Sequence, residues 1–224
     1  MSYGTYSKPT LNKSSTDPST KIEEDEKKLL NEWGLNREKK IILMPGRLTA
    51  WKGQELFLNA VNLVNIELGY EAFYAVILGN DQGRDQYKKK LIELTEKYKI
   101  SNQVKFFDHC EDMALAYKIS DIVVSASVEP EAFGRVSVET QSMQKLIIAS
   151  NIGGSNETII DEKTGFLFES GDPKSLAKKI MRALTMDETS LKKIGIEGRK
   201  NVIKKFNVEK MCFSTYSEYK RLIN

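Results

Sequence analysis

The chain has 224 residues, a formal net charge of +3, 40% hydrophobic and 29% charged residues, and 2 cysteines. That length can bury one generous domain or two small ones, and the composition excludes collagen-like, wholly disordered and membrane-spanning classes. No run approaches the ~20 apolar residues a bilayer crossing needs, and Cys110 and Cys212 are too few and too far apart for a disulfide framework or a zinc site.

Residues 1–20, rich in Ser, Thr, Lys and Pro without periodicity, read as a flexible leader, and 21–224 as one domain. The leader lacks the apolar core of a secretory signal, which makes the expected location cytoplasmic. Ile22, Leu29, Leu30 and Trp33 then fall on one helical stripe. Gly34 follows where a helix end wants a residue tolerant of positive φ.

Six short apolar, β-branched runs come next: IILM (41–44), AVILG (75–79), VKFF (104–107), DIVVSAS (121–127), LIIAS (146–150) and FLF (166–168). Amphipathic stretches of helical length, such as ELFLNAVNLVNIEL and YKKKLIELTEKYKI, separate most of them. Strands without polar alternation, interleaved with helices, predict an α/β fold in which a mostly parallel sheet is covered on both faces. Three helices are expected to close the chain, from about Pro173, Asp187 and Val208. Lys174–Asn224 holds 13 Lys/Arg against 5 Asp/Glu, a net +8, and the remainder 21 against 26, a net −5. A basic tail of this kind suits nucleic acid or an anionic membrane surface, with a solvated helical face as the bland alternative.

Open sheets of this type bind ligands beyond the carboxyl ends of their strands, so the turns after the strands carry the candidate chemistry. The first strand ends in MPGRLTAWKG. Gly46 allows a tight turn, and Arg47 and Lys52 can converge near a helix start to hold an anion, a diphosphate being well matched to a guanidinium fork and an ammonium charge. After the fourth strand comes SVEPEAFGRVSVET. Its carboxylates Glu131 and Glu139 can accept from vicinal sugar hydroxyls, and the backbone N–H groups at Phe133 and Gly134 open a helix where phosphate or sugar oxygens can bind. An acidic first helical turn is the bland alternative. In NIGGSNET, Gly153 and Gly154 either let the backbone approach a ligand or make a plain tight turn. His109, the single histidine, reads as incidental, though its loop is one that can lie near a nucleotide base. No metal-ligand spacing occurs.

GRLTAWKG, EPEAFGRVSVE, NIGGSNET and TGFLFESGDPKSLAKKI, in this order and spacing, resemble the C-terminal half of a retaining GT-B glycosyltransferase of family four, over about residues 38–224. The resemblance implies a single Rossmann-like GT-B half-domain, a three-layer sandwich with a six-stranded sheet, that binds a nucleotide-diphosphate sugar. It implies that Arg47 and Lys52, beside Gly46, hold the diphosphate and that Glu139 accepts from the ribose. It also implies that Glu131 meets the sugar near the reacting carbon, as the catalytic-site carboxylate, with the backbone of Ala132, Phe133 and Gly134 on sugar or phosphate oxygens. No cofactor and no metal are implied, because the cations and helix ends neutralise the leaving diphosphate.

Family members carry a second, N-terminal domain that binds the acceptor. Only a polar leader precedes the donor half here, so the expected partners are a nucleotide sugar and a separately encoded N-terminal half, with peripheral membrane contact and no nucleic acid. The isolated chain is expected to transfer little sugar. Apolar residues of the final helix, Met211, Phe213 and Tyr216, would seek a partner surface. The alternative is a non-catalytic interaction module that docks on a membrane or protein through its basic C-terminal helices. Gln144 and Leu146 stand where the family commonly has Gly and Pro, and Gln144 is expected to adopt a left-handed conformation.

Overall fold

A computed structural model describes residues 18–69, 73–83 and 85–223. Helix α1 spans Pro18–Glu32, so it takes in the last three residues assigned to the leader; residues 1–17 of that segment lie outside the described residues. Pro18 suits a first helical turn because its φ is already fixed there. The helix closes in the way its sequence suggests. Gly34 has φ +62°, its N–H bonds to the Asn31 carbonyl, and the Leu35 N–H reaches back to Leu30 O at 2.9 Å. Leu29, Leu30 and Trp33 are buried, but Ile22 is exposed. Ile22 shares their face, yet it lies about 10 Å further up the axis, beyond the core that the other three reach.

The strands are β1 (Lys40–Pro45), β2 (Phe73–Leu78), β3 (Val104–Phe107), β4 (Ile122–Ser125), β5 (Leu146–Ser150) and β6 (Phe166–Phe168). All five pairings between them are parallel, in the order β3-β2-β1-β4-β5-β6. The sheet is thus wholly rather than mostly parallel.

Helices connect the strands: α2 (Gln54–Leu68), α3 (Asp85–Lys97), α4 (Met113–Ile119), α5 (Arg135–Ser142) and the single turn α6 (Ser155–Thr158). The chain then runs through α7 (Pro173–Thr185), α8 (Glu188–Lys205) and α9 (Val208–Ile223). Side chains alternate between the faces of a strand, and that alternation divides the core in two. Ile42, Met44, Ile77, Val124 and Ile148 join one layer with Phe57 and Val61 of α2 and Leu176 and Ile180 of α7. Ile41, Leu43, Val76, Val123 and Ile147 join the other with Leu29 and Leu30 of α1, Trp33 and Ala116 and Tyr117 of α4. Trp33 stacks on Phe107 with ring centroids 4.5 Å apart.

The three closing helices start where the sequence places them. Asp172 and Asp187 cap α7 and α8 by accepting from the N–H groups of Lys174 and Ser190. Helix α9 differs from the rest in that none of its residues is buried, and Met211, Phe213 and Tyr216 are all more than half exposed. Both cysteines are free; Cys110 is half-buried and Cys212 exposed. No helix among the described residues is long and apolar enough to cross a membrane.

Candidate nucleotide-sugar site

The strand order reverses between β1 and β4, and a crevice opens there because the connections from the two strands leave on opposite faces of the sheet. A cleft of about 660 Å³ occupies this switch point. Gly46, Arg47 and Lys52 come to it from the loop after β1, and Glu131, Phe133, Gly134 and Glu139 from the loop and helix after β4. Among the candidate residues, Ala132, exposed on the loop between Glu131 and Phe133, and the paired Gly153 and Gly154 lie outside the lining.

Lys52 Nζ stands 2.8 Å from Glu131 Oε1, and it also lies over the Trp51 ring, 4.3 Å from its centroid. The Ser127 hydroxyl donates to the same Glu131 oxygen. Both members of the ion pair are mostly covered, with 15% and 16% of their side chains exposed, which strengthens their attraction over that of a surface pair. Arg47 is exposed, and no side chain among the described residues pairs with it. Among the described residues, Arg47 without a side-chain partner and Lys52 with one therefore face the same space.

Glu139 sits a turn into α5. Its Oε2 accepts from the Tyr117 hydroxyl at 2.8 Å, and its Oε1 accepts from Arg135 Nε at 3.2 Å and Nη2 at 2.9 Å. Burial, reinforced by that bond and by the carboxylate charge, pushes the Tyr117 hydroxyl far above its ordinary pKa. It remains a donor at any physiological pH.

The Phe133 and Gly134 N–H groups have no partner among the described residues, and Gly134, at φ +74°, turns the chain into α5. These donors and the positive helix end are suited to phosphate or sugar oxygens.

The paired glycines act differently from the ligand approach considered above. Gly154 N–H donates to the Glu131 carbonyl at 2.8 Å, and a β-carbon at Gly153 would stand 2.7 Å from that same oxygen. The pair lets the backbone approach the Glu131 loop, not a ligand, and so fixes the loop that carries the first carboxylate.

The structure adds residues that the sequence did not single out. Tyr117 and Arg135 line the cleft with Asn80, Asp108 and Met113, and His109, whose loop can lie near a nucleotide base, lies there too. Arg135 had a readable signal in its i,i+4 spacing to Glu139. Tyr117 had none, since it is 22 residues away on a helix without a motif.

The sequence pattern of the Glycosyl transferases group 1 family matches residues 25–201. The chain belongs to this family. It is 29% identical over 189 residues to the capsular polysaccharide biosynthesis glycosyltransferase CapM of Staphylococcus aureus, covering 84% of this chain and 46% of that protein. Its fold resembles a glycosyltransferase from Rickettsia africae with a TM-score of 0.84 and 33% identity, over 94% of this chain and 54% of the other. It likewise resembles Anabaena Alr3699/HepE, solved in complex with UDP and glucose, with a TM-score of 0.79 and 25% identity over 91% of this chain and 53% of the other. The group 1 chain thus spans about half the length of these three relatives, and it corresponds to the C-terminal-type, Rossmann-like domain of the GT-B fold.

Proposed function

We propose that this domain binds a nucleotide-diphosphate sugar for retaining transfer of a hexosyl group to an acceptor held by an N-terminal half outside these 224 residues. The observation that carries the reading is the convergence of Arg47, Lys52, Glu131 and Glu139 on one cleft at the switch point. Arg47 and Lys52 take the diphosphate, with the N–H groups at Phe133 and Gly134 completing the charge neutralisation as the leaving group departs. No metal is assigned a part. Glu139 accepts from the ribose hydroxyls, and Glu131 meets the sugar near the reacting carbon. A neighbour solved with UDP and glucose supports a nucleotide sugar as the guest, and the likeness to CapM supports a place in cell-envelope polysaccharide synthesis.

Calorimetric titration with UDP, GDP, ADP and their glucose conjugates tests the reading. Binding at micromolar to millimolar ligand that Arg47→Ala and Glu139→Ala each weaken is expected; no binding at millimolar ligand sinks it. The chain alone is expected to transfer little sugar, and robust transfer in a radiolabelled-donor assay would refute that part.

One observation favours a second role alongside the first. Helix α9 leaves Met211, Phe213, Tyr216 and Leu222 exposed beside the basic Lys210, Lys220 and Arg221, a surface able to dock on a protein or a membrane. Flotation with anionic liposomes at two salt concentrations separates these: salt-sensitive flotation favours the membrane, and its absence favours a protein surface.

A further inference from the structure

Glu131 and Glu139 each carry one buried hydroxyl and one cation from this chain. On Glu139 the two partners take different oxygens, Tyr117 on Oε2 and Arg135 on Oε1. On Glu131 they share one, because Ser127 and Lys52 both donate to Oε1, and Oε2 has no partner among the described residues.

The partners also differ in freedom. Tyr117 and Ser127 are 2% and 4% exposed, whereas the Arg135 side chain is 83% exposed. A hydroxyl packed in the core keeps its place when a ligand arrives. A solvated guanidinium in an i,i+4 pair is weakly held and yields its oxygen readily. Tyr117 also reaches Glu139 from α4, the helix before β4, while Glu139 rides on α5, the helix after it, so the bond ties together the two elements that flank the switch-point strand. Ser127 stands just past the end of β4, four residues before the carboxylate it holds.

We infer that Tyr117 and Ser127 are positioning residues that divide recognition of the donor between them. Tyr117 holds Glu139 so that Oε1 turns to the ribose once Arg135 yields it, and Ser127 holds Glu131 so that Oε2 turns to the sugar. The inference rests on the donor-binding reading above and deepens it, since it predicts which part of the ligand each hydroxyl serves.

The test is calorimetry on the full chain with three probes: the tightest-binding nucleoside diphosphate among UDP, GDP and ADP, its 2′,3′-dideoxy analogue, and its glucose conjugate. Tyr117→Phe is expected to weaken the ribonucleoside diphosphate about tenfold and to leave the dideoxy analogue within about twofold. Ser127→Ala is expected to leave both nucleoside diphosphates within about twofold and to weaken the glucose conjugate about fivefold. Urea midpoints of both variants accompany the titrations.

An equal loss on every probe would make the hydroxyls structural only, and no loss would make them bystanders; either result overturns the inference. Glu139→Ala separates this from failure of the donor reading. If that variant still prefers the ribose form over the dideoxy form, the ribose assignment itself is wrong. If it loses the preference while Tyr117→Phe keeps it, the positioning role alone falls. If no probe binds, both fall together.

Discussion

Lys52 and Glu131, 79 residues apart in the chain, meet across the switch point with 2.8 Å between Nζ and Oε1. The pair bridges the loops after β1 and β4, the two strands between which the sheet order reverses, so it links the side of the cleft that carries Arg47 to the side that carries Glu139. Removing one partner leaves a largely covered charge without its counterion. Lys52→Met is expected to cost about 1–3 kcal/mol of stability in urea unfolding and to weaken nucleoside diphosphate binding at least about tenfold. Glu131→Gln on top of Lys52→Met should recover part of the stability but not the binding. A Lys52→Met protein as stable as the parent would show that the pair is not formed in solution.

The Glu131 loop is shaped from behind by the glycine pair. Gly153 has φ +57°, and a β-carbon there would stand 2.7 Å from Glu131 O and 2.8 Å from Glu131 N. Both the backbone and the space exclude a side chain. Gly153→Ala is expected to destabilise the fold by about 2 kcal/mol. It should weaken the glucose conjugate more than the free nucleoside diphosphate, because the displaced loop carries Glu131 rather than Arg47. Calorimetry with both ligands reads the difference, and equal losses would contradict it.

Much of this architecture was legible in the chain. The runs at 104–107, 146–150 and 166–168 coincide with β3, β5 and β6. All five residues of β5 are buried, as expected of an apolar strand covered on both faces, whereas β3 and β6, at the two ends of the sheet, are partly half-buried and β3 carries Lys105. Arg47, Lys52, Glu131 and Glu139 were legible because a doubly wound sheet brings the turns after its strands to one edge. What stayed hidden depends on three-dimensional proximity. Tyr117 reaches Glu139 from a neighbouring helix, and Gly153 and Gly154 brace a loop some twenty residues earlier, contacts that neither periodicity nor motif spacing encodes. His109 is intermediate: a loop after the third strand is one that can lie near a nucleotide base, and its place in the cleft follows from β3 lying two strands from β1.

Gln144 is a case where the sequence pointed to strain and the backbone carries it. The residue ends the turn after α5 at φ +56°, it is exposed, and its side chain makes no hydrogen bond among the described residues. A non-glycine residue in the left-handed region costs roughly 1 kcal/mol. Gln144→Gly is expected to stabilise the domain by about that amount and to raise Tm by about 2–4 °C. Its exposure means that no packing is lost in return. A fall in Tm on thermal unfolding would show that the extra freedom of glycine in the unfolded chain outweighs the strain.

The attachment of α1 to the body is sensitive to acid. Glu26 on α1 meets Arg37 Nη2 and Lys118 Nζ, each at 2.9 Å, which ties the helix to the loop after it and to α4. Burial acts to raise the Glu26 pKa, but the bonds and charges of Lys118 and Arg37 together outweigh it and hold the carboxyl below its ordinary 4.5. A carboxyl depressed in the folded state contributes stability above its unfolded pKa and loses it as pH falls through the folded value. The contribution is therefore complete above about pH 5 and fades below 4.5. Trp33, stacked on Phe107 at the end of the same helix, supplies a fluorescence probe of this event. An acid titration of the parent should show a change in Trp33 emission in that window, with Trp51→Phe used to silence the other tryptophan. Glu26→Gln should lower stability at pH 7 and flatten the acid limb. An unchanged acid limb in Glu26→Gln would assign the acid response to another carboxylate, such as Glu162, which Lys179 and Arg182 hold down in the same manner against the effect of burial.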